Sequence, residues 1–307
     1  MIQLGKIIDH MSKIYGFGNA LIDIEITVSE EQLKNTNINK GLMKHISQEE
    51  LEMYLKSFAN QVNSALPGGS IANSMHAANK HNIETHFSCA IGDDEYGEIF
   101  INSFEDKLSG LSFYTSKLPT GICLIFITPD GQRTMAANLG ANTDLHKDCI
   151  DINKLKNSEY LLFDNFALST EKGFKIAKFC LSLNQYSKVC FGISDVSLVE
   201  ENSIQLKELF DDKIDILYGN EAEINSFMNT HKIYSSNILT TFGADGAKFN
   251  KTRFDAPEIK IANSNGAGDA LIGSFLANRI NNLDIEDSLQ DAISYASKVC
   301  TTNGPRL

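Results

Sequence analysis

A chain of 307 residues can bury one large core, or one core with a small accessory domain. Its residues are 42% hydrophobic and 21% charged, a composition typical of soluble globular proteins. The formal net charge of -12 disfavours nucleic acids and anionic membranes as partners. The sequence has no apolar run of about 18 residues, and charged side chains interrupt residues 1–18, so neither a membrane helix nor a signal peptide is expected.

The sequence contains six widely spaced cysteines and no CxxC pair. A chain of this length does not need disulfides to fold, so the cysteines are expected to be buried thiols in a reducing compartment, and the cytoplasm is the expected location. The seven histidines form no HExxH motif and no close cluster with cysteine. A dedicated zinc site is therefore not expected.

In chain order, residues 14–22 (IYGFGNALI) predict the first strand, and residues 24–66 mix short strand-like and helical pieces. The glycine-rich loop PGGS at 67–70 then opens a helix that has small and apolar residues at helical spacing. A strand, a charged helix and two alternating segments follow. The sequence PDGQ at 129–132 predicts a tight turn between the last two strands of this part.

Beyond residue 158 the sequence alternates strand-like and helical segments, which indicates βαβ units and a parallel sheet covered on both faces. The predicted fold class is therefore a three-layer α/β/α domain with a mainly parallel sheet and a small β-sheet lid. Residues 1–23, 67–110 and 141–307 are assigned to the core, and residues 24–66 and 111–140 are assigned to the lid.

Residues 263–271 (NSNGAGDAL) combine small residues with one carboxylate at the start of a predicted helix. Gly266, Ala267 and Gly268 leave backbone N–H groups accessible, and the positive end of a helix dipole favours negative charge at this point. Asp269 can accept a proton from an attacking hydroxyl. The segment therefore predicts an anion hole with a general base; the alternative is that Asp269 only caps the helix.

Other polar or glycine-rich positions follow predicted strands elsewhere in the chain. They are Asp23, Gly68, Gly69, Asn73, Asn220, Glu223, Thr241 and Gly243. Ligands of open parallel sheets collect at the carboxyl ends of the strands. We therefore expect these positions to converge on the segment that carries Asp269.

Four motifs occur in an order and spacing typical of one family: GGSIAN at 68, GNEAE at 219, TTFGADG at 240 and NSNGAGDA at 263. Together they resemble the PfkB, or ribokinase-like, family of carbohydrate and nucleoside kinases. The resemblance covers residues 14–307 and implies the ribokinase-like fold and transfer of the ATP γ-phosphoryl group to a sugar hydroxymethyl. GNALIDIE at 18–25, RTMAANL at 133–139 and the NGAGD variant are most similar to the adenosine and purine-nucleoside kinase branch.

On the acceptor side, the resemblance implies that four residues bind the sugar: Asp23, Gly68, Gly69 and Asn73. A carboxylate that only accepts hydrogen bonds suits a vicinal diol. The alternatives are that Asp23 lies at a turn or strand end and that Asn73 bonds its own helix.

On the donor side, the resemblance implies ATP with Mg²⁺. Six residues are implied here: Asn220, Glu223, Thr241, Gly243, Gly246 and Arg133. Asn220 and Glu223 form an NxxE pattern that would organise Mg²⁺, with Glu223 acting through water; the alternative is an ordinary helix cap. Thr241 and the two glycines would form the ATP-binding turn, or else a plain hairpin. Arg133 would fold from the lid over the phosphates, unless it is an exposed arginine in solvent.

The sequence departs from the family pattern at Asn263 and Ser264, where an Asp-Thr pair is usual. In relatives this loop helps to hold a monovalent cation, so a monovalent cation stays an open expectation for this chain. The assembly is also open. A homodimer paired through the lid would be favoured by an exposed apolar lid face.

The expected activity is ATP-dependent phosphorylation of the 5′-hydroxyl of a purine nucleoside, with adenosine as the first candidate. The alternatives are a sugar kinase, an inosine or guanosine kinase, and a nucleotide- or sugar-binding regulator without catalytic activity. Recognition of the base would depend on lid side chains such as Phe113, Phe126 and Phe166. A dinucleotide-binding oxidoreductase is disfavoured because Leu21 stands where a third glycine is needed, and no P-loop motif occurs.

Overall fold

The computed structural model describes residues 13–210, 214–231, 235 and 237–307. The expectation that no signal peptide is present concerns mainly residues 1–12, which lie outside the described residues. No helix among the described residues is long and apolar enough to cross a membrane. The cysteines are free thiols and five of the six are buried, as the sequence predicts.

The strands of the described chain form two sheets. In chain order they are β1 (Ile14–Phe17), β2 (Leu21–Thr27), β3 (Met43–His45), β4 (Val62–Gly68), β5 (Thr85–Gly92), β6 (Ser109–Ser116), β7 (Gly121–Ile127), β8 (Arg133–Asn138), β9 (Tyr160–Asp164), β10 (Lys188–Gly192), β11 (Ile216–Asn220), β12 (Ile238–Thr241), β13 (Ala247–Phe249) and β14 (Thr252–Phe254). The larger sheet has the order β14-β13-β12-β11-β10-β9-β1-β5-β6, and the smaller sheet has the order β3-β8-β7-β2-β4.

The α-helices of the described chain alternate with these strands. In chain order they are α1 (Glu30–Lys34), α2 (Gln48–Ser57), α3 (Ser70–Lys80), α4 (Glu95–Asn102), α5 (Ile152–Asn157), α6 (Asn165–Leu168), α7 (Glu171–Leu183), α8 (Val196–Glu201), α9 (Ser203–Leu209), α10 (Glu221–Thr230), α11 (Ala267–Ile280) and α12 (Ile285–Val299). The alternation of strands and helices predicted beyond residue 158 is present from β9 to β12.

The larger sheet is parallel except for β13 and β14, which form antiparallel hairpins at one edge. Its central strands are covered on both faces; every residue of β1, β5 and β9 is buried. Side chains from α3, α4, α11 and α12 join the core on one face, and side chains from α5 and α7 to α10 join the core on the other. The predicted three-layer α/β/α fold with a small β lid is therefore confirmed.

The smaller sheet is the lid. One face of its central strands packs against α1 and α2, with Ile24, Phe126 and Tyr54 among the buried residues. The opposite face presents a separate apolar cluster that contains Cys123, Ile125 and Met135. Because successive side chains of a strand point to opposite faces, one short strand such as β7 supplies both clusters.

Two details of the predicted elements are wrong. The first strand is divided: β1 belongs to the larger sheet, β2 belongs to the lid, and Asn142 bonds both backbone groups of Ala20 in the short connection between them. Asp23 therefore lies inside β2 and not after a strand.

The segment 111–116, assigned to the lid, belongs to β6 at the edge of the larger sheet. A half-exposed edge strand alternates in polarity just as a lid strand does, so the pattern could not separate the two.

Helices α3 and α11 approach each other unusually closely. A Cβ added at Gly273 of α11 would lie 2.1 Å from the carbonyl oxygen of Ser74 in α3. Ser70 in α3 and Asp269 in α11 each lie one helical turn before this contact, towards the amino terminus of their helix. Residues four apart share a helix face, so the contact at Gly273 places Ser70 beside Asp269.

Replacing Gly273 by alanine is expected to destabilise the protein, although alanine is the better helix former by about 1 kcal/mol. The added methyl group would have to displace the Ser74 carbonyl, and overpacking of a core contact costs about 1–3 kcal/mol. Urea denaturation should show a lower midpoint with an unchanged m value. A midpoint above that of the wild type would contradict the close contact.

Candidate active site

A cleft of about 380 Å³ lies between the lid and the carboxyl edge of the larger sheet. Asp164 at the end of β9, Ser194 after β10, Asn220 at the end of β11 and Thr241 at the end of β12 all line it. The strand order of the sheet reverses between β1 and β9, and ligands of such sheets bind at this switch point.

Asp269 is the third residue of α11, and its side chain does not cap that helix. The Ser70 hydroxyl donates to its Oδ1 at 2.6 Å, and the Asn73 amide donates to its Oδ2 at 3.0 Å. Burial raises the pKa of Asp269 above its usual range, while these two hydrogen bonds and the charge of Arg306 oppose that rise. The carboxylate is thus held in one orientation by donors from another helix.

The amino terminus of α11 is open. Gly266 has φ of 75°, a left-handed conformation that favours glycine, and no side chain caps the helix. A Cβ at Gly268 would meet no atom within 4 Å. The Ala267 N–H donates to the Ser264 carbonyl at 3.4 Å, and the open space at Gly268 leaves the next N–H groups of the helix accessible to an anion.

Asp23 lies at the other side of the cleft and is buried. Its Oδ2 accepts a hydrogen bond of 2.8 Å from Asn265. Burial raises the pKa of Asp23 to about 6, against the effects of Asn265 and Arg306. A Cβ at Gly68 would lie 2.4 Å from this carboxyl group, and one at Gly69, where φ is 91°, would lie 2.3 Å from the Asn19 carbonyl oxygen. Only glycine fits at these two positions.

Asn73 is buried on α3 and uses both ends of its amide. Its Nδ2 donates to Asp269, and its Oδ1 accepts from the Arg306 Nε at 2.9 Å. The implied contact of Asn73 with a sugar hydroxyl stays a prediction.

Asp164 is a second buried carboxyl group in the cleft, with 2% of its surface exposed. Its Oδ1 accepts from the Ala167 backbone N–H at 3.1 Å and so caps α6. Burial raises the pKa of Asp164 to about 7, and the negative charge of Asp269 acts in the same direction. A substantial fraction of this group is therefore protonated at neutral pH.

Asn220 and Glu223 form a complete capping box at the start of α10. Asn220 Oδ1 accepts from the Glu223 N–H at 2.9 Å, and Glu223 Oε2 accepts from the Asn220 N–H at 2.9 Å. Burial raises the pKa of Glu223. Both residues line the cleft, so the capping alternative holds for them while their implied role beside Mg²⁺ stays a prediction.

Thr241, Gly243 and Gly246 lie where β12 turns into β13. The turn is a hairpin in which both glycines have positive φ, and the Arg253 guanidinium lies 4.4 Å from the centre of the Phe242 ring. Thr241 lines the cleft. The implied nucleotide contact of this turn stays a prediction.

Arg133 is not among the residues that line the cleft. Its Nη1 lies 3.2 Å from Oε1 of Glu25, and the same oxygen accepts a hydrogen bond of 2.7 Å from the Asn263 amide. The Asn263 Oδ1 accepts from the Asn265 N–H at 2.7 Å. Asn263 therefore already has partners on both ends of its amide, and neither the phosphate contact of Arg133 nor a monovalent cation gains support from this cluster.

The lid-side wall of the cleft is mainly apolar. Its side chains include Leu21, Ile125, Met135 and Leu139, and Phe166 from α6 lies in the same lining. Of the three phenylalanines expected to recognise a base, Phe166 alone lines the cleft: Phe126 is buried inside the lid and Phe113 is 41% exposed on β6.

A family model described as pfkB family carbohydrate kinase matches residues 46–307 of the chain. The chain belongs to the pfkB family. Adenosine kinase 2 of Arabidopsis thaliana is 26% identical to this kinase over 331 residues, which cover 93% of this chain and 92% of the relative. Ribokinase of Lactococcus lactis is 27% identical, and that match covers 74% of this chain and 77% of the relative.

Solved structures of adenosine kinases have the same fold. The enzyme from Sinorhizobium meliloti superposes with a TM-score of 0.87 at 20% identity, over 97% of this chain and 96% of that one. The enzyme from Schistosoma mansoni in complex with 2-fluoroadenosine gives a TM-score of 0.83 at 20% identity, over 96% and 97% of the two chains. The chain is thus a phosphotransferase that acts on a hydroxyl group, within the nucleoside and sugar kinases.

The sequence alone did not single out Ser70, Asp164, Asn265 and Arg306 as residues of this kinase's site. Ser70 and Asn265 lie inside two of the recognised motifs, and Asp164 ends a buried strand, so position alone could have drawn attention to these three. Arg306 lies in no pattern that would have marked it.

Asp164→Asn is expected to stabilise the kinase in a pH-dependent way. The folded-state pKa of Asp164 is about 7, above that of the unfolded chain, so the stability that the acid form contributes is lost as pH rises through about 7. Asparagine can still cap α6 and carries no charge. Urea denaturation should show that the substitution raises the free energy of unfolding by about 2–3 kcal/mol more at pH 8 than at pH 5.

Asp284→Asn is the matched control, because Asp284 caps α12 in an exposed position and accepts from the Asp287 N–H at 2.8 Å. This variant should show no increase in the free energy of unfolding at either pH. Equal gains for Asp164→Asn at pH 5 and pH 8 would contradict the desolvation of that carboxyl group.

Proposed function

We propose that this pfkB-family kinase transfers the γ-phosphoryl group of ATP to the 5′-hydroxyl of a purine nucleoside, with adenosine as the first candidate. The observation that carries the proposal is one cleft with two unlike ends. A half-buried carboxylate, Asp269, lies at an open helix terminus, and an apolar wall faces it from the lid. The end with Asp269 suits phosphoryl transfer, and the apolar wall suits the aromatic base of a nucleoside.

Asp269 is the proposed general base. The donors Ser70 and Asn73 hold one oxygen each, and burial raises the basicity of the carboxylate above that of an exposed aspartate. A base with a raised pKa takes a proton more readily from an attacking hydroxyl. The N–H groups around Gly266, Ala267 and Gly268 would stabilise negative charge on the transferred group.

The donor end of the cleft fits ATP. When bound, ATP supplies the phosphoryl group and Mg²⁺ neutralises part of its charge. Gly268 leaves room for close approach, and the buried Tyr218 hydroxyl in the cleft lining has no hydrogen-bond partner among the described residues. No group of three or more His, Cys, Asp or Glu side chains in the described chain is placed to hold a metal, so Glu223 would act on Mg²⁺ through water.

The acceptor end fits a nucleoside better than a free sugar. Asp23 offers a carboxylate to vicinal hydroxyls, while Ile125, Met135 and Phe166 present surface that a sugar ring would leave uncovered. Burial of a purine against such a wall contributes favourable free energy in proportion to the apolar area removed from water. A homodimer and a cytoplasmic location stay predictions.

A comparison of acceptors tests the substrate. With ATP, kcat/KM should be highest for adenosine, lower for inosine and guanosine, and lowest for ribose and fructose. Phe166→Ala should raise the KM for adenosine roughly tenfold and leave the KM for ribose unchanged, because only the base would contact the ring. Higher kcat/KM for a free sugar would assign the enzyme to the sugar kinases, and transfer to no acceptor would favour a regulator.

Asp269→Asn tests the base. The variant should lose kcat on the order of 100-fold to 10,000-fold, with a small change in KM, because the amide cannot accept the proton. Asp287→Asn is the matched control: Asp287 is the third residue of α12, as Asp269 is of α11, and it is exposed. Near-normal kcat in Asp269→Asn would show that another group removes the proton.

A further inference from the structure

The segment 302–307 folds back onto the active site. The Thr302 hydroxyl donates to the Gly304 carbonyl at 3.0 Å, and a His76 ring nitrogen lies 3.0 Å from the Leu307 carbonyl oxygen. Pro305 lies against Gly266, where an added Cβ would be 2.6 Å from the proline ring. This segment therefore contacts both the helix that carries Asn73 and the loop that precedes Asp269.

Arg306 links three separate segments of the chain through one guanidinium group. Its Nε donates to Asn73 Oδ1 at 2.9 Å, its Nη1 donates to Ser103 Oγ at 3.0 Å and its Nη2 donates to the Gly68 carbonyl at 3.3 Å. The guanidinium also lies 5.9 Å from the centre of the Phe104 ring. A planar group with five N–H donors suits such divergent acceptors, whereas a lysine could not reach all of them at once.

The contact with Asn73 determines which way that amide points. Because Arg306 has only donors, it must face the amide oxygen, and the amide nitrogen is then turned towards Asp269. A flipped amide would place its oxygen against the carboxylate and its nitrogen against the guanidinium. Both contacts would then be repulsive.

We propose that Arg306 is a positioning residue for phosphoryl transfer, which acts through Asn73 to orient the Asp269 carboxylate and which brings a positive charge to the acidic groups of the site. The proposal rests on the proposed function of Asp269 as the base. Arg306 itself touches no reacting group. Its effect is carried by one hydrogen bond and by one positive charge in a buried site.

The titratable groups around Asp269 are mostly acidic. The titratable groups that face it come from β2, β9, β11, α10 and the C-terminal segment, and they are Asp23, Asp164, Tyr218, Glu223 and Arg306. Arg306 alone among them is a cation. Burial lowers the pKa of Arg306 to about 10, so it stays charged at neutral pH. Its charge lowers the pKa values of Asp269 and Asp23.

Two substitutions separate the hydrogen bond from the charge. Arg306→Gln removes the charge, and Arg306→Lys keeps the charge without the planar fork. With ATP and adenosine, Arg306→Gln should lower kcat roughly tenfold to a hundredfold, leave the KM for ATP nearly unchanged, and move the acidic limb of the pH–kcat profile about one unit higher. Arg306→Lys should return the acidic limb of the pH–kcat profile to its wild-type position and should recover only part of kcat.

Arg279→Gln is the matched control, because Arg279 lies near the opposite end of α11 and donates there to the Leu283 carbonyl. It should leave the acidic limb in place. An equal loss of kcat at every pH in Arg306→Gln would indicate a structural role only and overturn the proposal. Unchanged kcat would overturn it as well.

A stability cycle tests the same coupling without activity. Unfolding equilibria are measured at pH 5 and pH 8 for the wild type, Arg306→Gln, Asp269→Asn and the double variant. At pH 8 the effect of Arg306→Gln on the unfolding constant should be about tenfold smaller in the Asp269→Asn background, because one of the two carboxylates whose charge Arg306 offsets is then replaced by a neutral amide.

Additive effects at pH 8 would overturn the proposal for Arg306. An intact coupling in a protein that phosphorylates no acceptor would instead contradict the proposed function. The two failures are therefore distinguishable.

Discussion

The close contact of α3 with α11 is the constraint on which the rest of the site depends. The two helices begin at different loops, nearly two hundred residues apart, yet the absence of a side chain at Gly273 lets their backbones meet at Ser74. The first turns of both helices then lie side by side. Ser70 and Asn73 can therefore hold the Asp269 carboxylate from the neighbouring helix. No side chain caps the amino terminus of α11, so the same helix terminus presents both the proposed anion site and the proposed base.

Desolvation of acidic groups sets the electrostatic character of this site. Burial raises the pKa of Asp23 to about 6 and that of Asp164 to about 7, and it also raises the pKa of Asp269. Buried carboxylates cost stability when they ionise, and the fold offsets that cost with amide and hydroxyl donors and with the charge of Arg306. A proposed base must be ionised to work, so stability and activity make opposite demands on these groups.

The sequence predicts those parts of the site that local spacing encodes. The glycines of the two loops, the capping pair at α10 and the position of Asp269 at a helix start all follow from patterns a few residues long. The contacts that complete the site join distant residues: Asn73 and Asp269 are 196 residues apart, and Arg306 and Gly68 are 238 apart. Local patterns contain no information on such pairs. The same limit explains why β6 was assigned to the lid, since an edge strand and a lid strand have similar alternation.

Strand β2 is tied to the loop before α11 by two side-chain hydrogen bonds. Asp23 and Glu25 lie two residues apart and so share one face of the strand, and they bond Asn265 and Asn263, which are also two residues apart. A slip of one residue would turn both carboxylates to the other face and break both contacts. The amide at position 263 follows from this arrangement. The Asn263 amide donates to Glu25 at 2.7 Å, whereas an aspartate at position 263 would put a second negative charge within hydrogen-bond distance of the first.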